Sequence, residues 1–171
     1  MTSEQFRAIY PHLIGWIEQT LANHKKEARP AGSLGFRRLP QYYSPELLAS
    51  AKVVVVDQVP TPPLTALGAT GFEDFENLDA AGITYLDTYF VRTSEAGRES
   101  LHFHELIHII QWRLLGPERF LAAYADGLAR FTYRTSPLEV MAYDAEDRFK
   151  RDPVPFDAEK LVRQSLGIPP L

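Results

Sequence analysis

The sequence predicts an α+β fold: one compact domain in which a small sheet packs on several helices. Short segments rich in β-branched and aromatic residues, at 52–59 and 82–91, are typical of strands. Other segments carry apolar residues at intervals of three or four positions, as do helices that bury one face. A chain of 171 residues suits a single domain. We therefore expect residues 1–171 to form one domain, with residues 152–171 packing on it as a C-terminal tail.

The N-terminal segment predicts a helix followed by a loop. Residues 2–26 carry apolar side chains at helical spacing, with a break or first turn expected at Pro11. Gly, Pro and Arg are frequent in residues 28–40, which indicates a loop. A short helix is then expected to open at Ser44-Pro45, because Ser caps helices and Pro suits the first helical position. The spacing of the first helix is that of Ile9, Leu13, Ile17 and Leu21.

Two strands are expected in the middle of the chain. Residues 52–59 (KVVVVDQV) are β-branched and too apolar for a strand that is exposed on both faces. Residues 60–79 are rich in Pro and Gly and predict a long structured loop. Residues 82–91 (GITYLDTYFV) predict a second strand, with Tyr85, Asp87 and Tyr89 on one of its faces.

The second half of the chain is expected to be largely helical. Residues 100–115 predict a helix that is apolar on most of its circumference, which favours a buried position at the centre of the fold. Its start is expected between Ser94 and Ser100, both suitable N-caps, and Gly116-Pro117 marks its end. Further helices are predicted over residues 120–131, 136–149 and 157–166.

The motif His104-Glu105-Leu106-Ile107-His108 (HELIH) lies in this central helix. Because residues i and i+4 lie on the same face of a helix, both imidazoles can reach one tetrahedral metal ion at about 2.0–2.1 Å per nitrogen. Glu105 borders that face, where it can hold and deprotonate a metal-bound water. Burying these three polar side chains is costly unless a partner such as a divalent metal satisfies them. The alternatives are a solvated surface trio and a buried hydrogen-bonded network without metal.

A catalytic zinc ion normally takes three protein ligands, so a third is expected besides the two histidines of the motif. The other histidines all lie N-terminal to these, and His102 points to a different side of the helix. We therefore expect a carboxylate from a later helix, with Glu139 as the first candidate and Glu146 in reserve. The alternative role for Glu139 is a capping box, in which it folds back on Ser136 at the start of its helix.

Over about residues 82–149, the chain resembles small zincin-type zinc metallopeptidases of the gluzincin kind, which carry the HExxH motif. In that family the motif helix supplies two zinc ligands, and a glutamate on a following helix supplies the third. The resemblance implies Zn²⁺ as the cofactor and Glu105 as the catalytic base. The zinc ligands would be His104, His108 and Glu139. It also implies a zincin-like domain in which the strand before the motif helix borders the cleft and can pair with an extended peptide.

The chain departs from the family pattern one turn after the third ligand. Where the family usually has an aspartate that orients a ligand histidine, this chain has Tyr143. The orienting role is therefore open, and Asp87, Asp144 and Glu146 are candidates for it. A donor to the oxyanion of the transition state is also required. The candidates for that donor are Tyr143, Tyr133, Arg134 and His102.

The implied function is that of a zinc-dependent hydrolase. The resemblance indicates a metallopeptidase that cleaves peptide or protein substrates through a zinc-bound water activated by Glu105. The alternative is a catalytically silent, metal-stabilised binding module with a zincin fold. The short chain, which leaves little room for deep specificity pockets, favours that alternative somewhat.

Composition bears on partners and location. The net charge is −4 and basic residues cluster only in short pairs, which argues against nucleic acid as a partner. The chain has no cysteine, so it cannot form disulfides or a thiolate zinc site. It has no apolar run of 18 residues and no signal-peptide pattern, so we expect no membrane partner and a cytoplasmic location. A mature secreted chain whose signal has been removed would look the same, and the oligomeric state is not predicted.

Overall fold

The computed structural model describes residues 2–169, and these form an α+β fold around one four-stranded sheet. The predicted fold class is therefore confirmed. Pro170 and Leu171, at the end of the predicted C-terminal tail, lie outside the described residues. The helices span Ser3–Asn23 (α1), Pro45–Ser50 (α2), Glu73–Glu76 (α3), Glu99–Leu115 (α4), Pro117–Arg130 (α5), Pro137–Arg151 (α6) and Ala158–Ser165 (α7). The strands span Arg29–Pro30 (β1), Lys52–Val56 (β2), Gly82–Tyr85 (β3) and Thr88–Arg92 (β4).

The N-terminal helix is confirmed as α1, but the break expected at Pro11 is wrong. Thr2 caps the helix by accepting a hydrogen bond from the backbone N–H of Gln5. The helix continues through Pro11, although a proline inside a helix removes one backbone hydrogen bond. Ile9 and Ile17 lie on either side of the proline, and both are buried. Burial of apolar side chains on both sides of Pro11 therefore compensates for the missing hydrogen bond.

The strand predicted at residues 52–59 is confirmed as β2, although it ends at Val56. The strand order of the sheet is β1-β2-β4-β3. β2 therefore lies inside the sheet, antiparallel to β1 and parallel to β4. Consecutive residues Val53 and Val54 point to opposite faces of the sheet, and both are buried. This burial on two sides explains the continuous run of valines.

The segment predicted as one strand over residues 82–91 is a hairpin, so that prediction is wrong. β3 and β4 pair antiparallel, with Tyr85 opposite Thr88 across a two-residue turn. Leu86 in this turn has a φ of 56°, in the left-handed region where residues other than glycine are uncommon. Asp87 is exposed in the same turn and does not lie on a strand face as expected. The turn contains no glycine or asparagine, the residues from which such turns are usually recognised.

The HELIH motif lies in α4, which runs through the centre of the fold. Every residue of the segment 101–112 is buried, and β3, α5, α6 and α7 all pack against this helix. The predicted end of the helix is confirmed, because Gly116 follows it with a positive φ of 74°. The start at Glu99 falls between Ser94 and Ser100 as predicted, but neither serine is the N-cap. Arg98 precedes the first turn instead, and its side chain makes no capping hydrogen bond.

The remaining helices enclose α4. The predictions of α5 and α7 are confirmed, and Asp157 caps α7 by accepting a hydrogen bond from the backbone N–H of Lys160. Ala158 and Val162 of α7 are buried in the same core as the apolar residues of α4. The predicted loop at residues 60–79 is mostly irregular, although it contains α3. It packs on α1 through a small apolar cluster made of Ile9, Leu64, Ala69 and Phe72. Within residues 2–169, every helix is too short or too polar to traverse a lipid bilayer.

Candidate metal centre

Two buried histidines of α4 form the middle of the candidate site. His104 and His108 are 3% and 5% exposed, and their Nε2 atoms lie 3.1 Å apart. The four-residue spacing causes this geometry, because it places the two rings one turn apart on the same helix face. Two nitrogen lone pairs repel each other at this distance. A proton or a cation must therefore lie between the rings.

Glu139, the third ligand expected from the sequence, extends from α6 toward both histidines. Its Oε2 atom is 3.4 Å from His104 Nε2, and its Oε1 atom is 3.4 Å from His108 Nε2. The residue is 2% exposed. The alternative of a capping box is wrong, because the Ser136 side chain makes no capping hydrogen bond and donates to the backbone oxygen of Tyr133. The packing of α6 on α4 directs the Glu139 carboxylate to the histidines instead.

The donor atoms are close enough together to share one metal ion. With bonds of 2.0–2.1 Å, two ligand atoms of a tetrahedral zinc ion lie about 3.3 Å apart. The two histidine nitrogens are 3.1 Å apart, and each lies 3.4 Å from a different oxygen of Glu139. With one donor atom taken from each residue, all three lie within 4.8 Å of one another. In the described part of the chain, Oε2 of Glu139 is buried without a hydrogen-bond partner, which is costly unless a cation satisfies it. The residues present therefore fit Zn²⁺, with two imidazoles and one carboxylate as ligands.

Gln111 orients one of the two histidine rings. Its Oε1 atom lies 2.8 Å from His108 Nδ1, and its Nε2 donates to the backbone oxygen of Leu138 at 3.0 Å. With a proton on Nδ1 of His108, the Nε2 lone pair of that ring faces the candidate centre. Sequence reasoning missed this role of Gln111. Its position three residues after His108, on the same helix face, was the available signal.

Glu146 and Tyr143 contact the other ring. Glu146 Oε2 is 3.4 Å from His104 Nδ1, on the opposite side of the imidazole from the Nε2 atom that faces the centre. Tyr143 packs on the same ring with 4.6 Å between centroids, and the Arg134 guanidinium lies 4.9 Å from the Tyr143 ring. Glu146 therefore lies beside the far nitrogen of His104 as an ion-pair partner, at a geometry that is not a hydrogen bond. Tyr143 covers the ring of His104, a candidate ligand, and the hydrogen bond to Glu139 comes from another partner.

That partner is Tyr124 of α5, which the sequence analysis missed. Its hydroxyl donates a hydrogen bond of 2.7 Å to Glu139 Oε1. Tyr124 belongs to the apolar pattern that predicts the helix over residues 120–131, and its ring does stack with Phe120 at 5.7 Å. A tyrosine combines an apolar ring with a polar tip, so the pattern by itself could not separate the packing role from the polar one.

Three other candidates do not come to the centre. Asp87 is exposed and accepts a hydrogen bond from the Thr88 hydroxyl in the hairpin turn. Asp144 is exposed on α6. His102 is wholly buried, with Nδ1 2.9 Å from the Tyr89 hydroxyl and Nε2 2.9 Å from the backbone oxygen of Ala96. Asp87 and His102 therefore have local hydrogen-bonding roles in the fold, away from the candidate centre.

The β-hairpin positions the Glu105 carboxylate. Thr84 of β3 donates its hydroxyl to Glu105 Oε2 at 2.6 Å. Gly82 leaves room for the other oxygen, because a Cβ atom there would lie 2.5 Å from Glu105 Oε1. A glycine is thus required at this close approach of strand and side chain. Glu105 is 3% exposed.

Burial and neighbouring charges set the ionisation of this cluster. Burial lowers the pKa of His104, but the carboxylates of Glu139 and Glu146 outweigh this effect and raise the pKa to about 10. Burial raises the pKa of Glu139, yet the nearby His108 and His104 hold it well below its usual range. Burial also raises the pKa of Glu105, and the two histidines offset this only in part. Without a metal, a protonated His104 between two carboxylates satisfies the same groups.

Two cavities meet at the site. An open cleft of about 270 Å³ reaches His104, Glu105 and Glu146. A smaller, mostly apolar cavity of about 80 Å³ reaches Glu105, His108 and Glu139. Glu105 therefore borders both spaces, and a ligand in the cleft can contact it.

The candidate metal centre thus combines two helix-borne imidazoles with a carboxylate from a neighbouring helix, and Glu105 lies beside them. Hydrogen bonds from other elements orient these groups. No family model, curated protein or solved structure matches this chain. Its chemistry is therefore argued from the side chains that converge here.

Proposed function

We propose that this protein is a zinc-dependent hydrolase with a zincin-type fold, a metallopeptidase that cleaves peptide bonds in peptide or protein substrates. The observation that carries the proposal is the group of His104, His108 and Glu139, whose buried donor atoms lie within 4.8 Å of one another beside a cleft. A Zn²⁺ ion bound there would polarise a substrate carbonyl and make a water more acidic.

Glu105 is the proposed general base. It would take a proton from the attacking water and later pass it to the leaving amine. Two features support this role. Its carboxylate borders both cavities, and Thr84 fixes one oxygen so that the side chain has a defined direction. Its raised pKa brings the group closer to neutral pH, where a residue that both accepts and donates a proton works best.

Tyr133 is the proposed donor to the transition-state oxyanion. It lines both cavities and so lies where they meet, next to Glu105. Tyr143 lines only the cleft and is engaged with the His104 ring. His102 is buried elsewhere with both ring nitrogens in contact with other groups. A hydroxyl at the junction of the cavities suits a charge that develops on a carbonyl oxygen held there.

The test compares Glu105→Gln with His104→Ala. Zinc content is measured by mass spectrometry, and cleavage is measured with a broad peptide library. Glu105→Gln should keep the zinc and lower turnover about 10²- to 10⁴-fold, because only proton transfer is lost. His104→Ala should lose both zinc and turnover. His12→Ala, at an exposed histidine of α1, is the matched control and should change neither quantity. Unchanged cleavage by Glu105→Gln would show that the mechanism is wrong.

A metal-stabilised binding module is the second candidate function. The observation in its favour is that Glu105 is buried and already bonded to Thr84, so a water must compete for it. Zinc would then raise the melting temperature of the wild-type protein without cleavage of any library peptide. A protein that takes up no zinc would instead indicate the metal-free network around a protonated His104.

A further inference from the structure

The smaller cavity leads away from the candidate centre on the side of His108 and Glu139. Its walls come from α1, the segment 60–79, β3 and α5. Among the residues that line it, the only carboxylate and imidazole side chains are those of Glu105, His108 and Glu139. All three lie at the end next to the candidate metal centre, which we call the metal end. The cavity therefore has one polar end and a long apolar wall.

Four polar groups on the apolar wall already have partners. The Tyr124 hydroxyl donates to Glu139, and the Thr84 hydroxyl donates to Glu105. The Tyr85 hydroxyl donates to the backbone oxygen of Pro60, and Trp112 Nε1 donates to that of Thr84. A polar ligand group that entered this space beyond the Tyr133 hydroxyl would lose its hydration and gain no hydrogen bond from these four groups in return. The cavity thus selects against polar and charged groups.

The segment 60–79 encloses this space. Leu64 and Phe72 pack against Ile9 of α1 in a small apolar cluster that is separate from the main core. Phe75 packs edge-to-face on Tyr124 and at a tilt on Tyr133, with ring centroids 5.9 and 6.0 Å apart. Protein interiors contain few voids of this size, and here one adjoins the group that could hold a metal. This location favours a binding space over a packing defect.

We propose that this cavity binds a compact aliphatic side chain of the substrate, Val or Leu in size, next to the bond that is cleaved. The inference rests on the proposed function and names its substrate class. A carbonyl group at the candidate centre would place the adjoining side chain at the cavity mouth. An apolar cavity of roughly 150 Å³ holds a benzene ring, so the space of about 80 Å³ suits an aliphatic group better than an aromatic one.

Leu128 of α5 is the residue that should set the size of this cavity. It lines the cavity from α5 and is only partly buried, so a larger side chain can be accommodated without unfolding the core. Leu128→Trp would fill the space, and Leu128→Ala would enlarge it. Val154 is 63% exposed and lines none of the cavities described, so Val154→Trp is the matched control.

The experiment measures binding first and cleavage second. Zinc-loaded Glu105→Gln protein is titrated calorimetrically with N-acetyl-leucinamide, N-acetyl-phenylalaninamide and N-acetyl-lysinamide. The leucine probe should bind at least tenfold tighter than the lysine probe. Leu128→Trp, added to this background, should weaken leucine binding at least tenfold with zinc content unchanged, whereas Leu128→Ala should improve phenylalanine binding. Val154→Trp should change none of these affinities.

Equal affinity for the leucine and lysine probes, binding of none of them, or no effect of either Leu128 change would overturn the inference. If Leu128→Trp fails to fold, the effect of Leu128→Ala on phenylalanine binding is the test of the inference. The proposed function fails separately. Leucine-selective binding by a wild-type protein that cleaves no peptide would reject the proposed hydrolase function and keep the cavity assignment. Cleavage of peptides without preference for any side chain would reject the cavity assignment and keep the hydrolase function.

Discussion

Gln111 illustrates how one side chain can connect the site to the fold. It is wholly buried, bonds to His108 with its oxygen and donates to the Leu138 backbone with its nitrogen. Leu138 immediately precedes Glu139 in α6. The same amide therefore orients a candidate ligand on α4 and ties it to the turn of α6 that carries another.

We predict that Gln111→Leu lowers the zinc affinity by about 10- to 100-fold, because the His108 ring loses the acceptor that orients it. Gln111→Glu keeps an acceptor oxygen and should retain more of the affinity than Gln111→Leu. The measurement is a competition titration against a chromogenic chelator. Gln164→Leu, at an exposed glutamine of α7, is the control. Identical zinc affinities for wild type and Gln111→Leu would contradict the positioning role.

Among the elements, the β3–β4 hairpin contributes most to the site beyond α4. β3 carries both Thr84, which bonds to Glu105, and Gly82, which leaves space for it. The hairpin requires Leu86 to adopt a positive φ. Pairing of β3 with β4, and burial of both strands against the rest of the protein, outweigh this local cost.

We predict that Gly82→Ala lowers turnover at least tenfold while the zinc content stays unchanged. The added methyl group would lie 2.5 Å from Glu105 Oε1 and must displace the carboxylate, whereas the candidate ligands are on α4 and α6. Displacement of a reacting group by about 1 Å can cost on the order of 100-fold in rate. Peptide cleavage and metal analysis on the same samples provide the measurement.

Gly15→Ala is the control for this substitution. Gly15 lies in α1 with no atom within 4 Å of the position that its Cβ would occupy. The change should leave turnover unaltered and stabilise the helix by about 0.5–1 kcal/mol. Full activity in Gly82→Ala would mean that the hairpin does not position Glu105 for catalysis.

The helix α6 shows why local patterns gave two answers for one residue. Ser136, Pro137 and Glu139 match a capping box, and the same glutamate also borders the buried face of its helix. The sequence could not decide between these roles because both are compatible with helix formation. The contact of α6 with α4 decides, since it brings the Glu139 carboxylate within 3.4 Å of both imidazoles.

At the scale of the whole molecule, the candidate centre lies where helices from distant parts of the chain converge. α4 and α6 supply the proposed ligands, and α5 supplies the Tyr124 hydroxyl that bonds to one of them. A metal bound there would connect α4 to α6 and neutralise carboxylates that are otherwise buried near each other. Its binding energy would therefore contribute to the stability of the entire fold.

We predict that Zn²⁺ raises the melting temperature and that a chelator reverses the rise. At a free zinc concentration of about 1,000 times the dissociation constant, the gain is roughly 4 kcal/mol, or on the order of 10 °C for a domain of this size. Differential scanning calorimetry gives the measurement. His108→Ala protein should show a much smaller shift, and a shift of wild-type size in that variant would rule out the proposed ligand set.

The rise in melting temperature that Zn²⁺ causes should be larger at pH 8 than at pH 6. In the metal-free protein the pKa of His104 is raised to about 10, so a proton competes with zinc for this ligand throughout that range. The zinc affinity consequently rises as the proton concentration falls. The free energy that His104 gains from its carboxylate neighbours has the opposite dependence. It is complete below the unfolded pKa of about 6.5 and is lost as the pH rises through about 10.

The sequence by itself determined the central helix, its end at Gly116, the internal strand β2 and the pair of imidazoles on one face. These features depend on local periodicity and on the conformations open to single residues, which a sequence states directly. Tertiary structure alone decided between the two roles of Glu139, assigned Gln111 and Tyr124 to the candidate ligands, and placed Gly82 beside Glu105. Those placements depend on how separate elements pack, and packing brings together residues whose spacing along the chain carries no period.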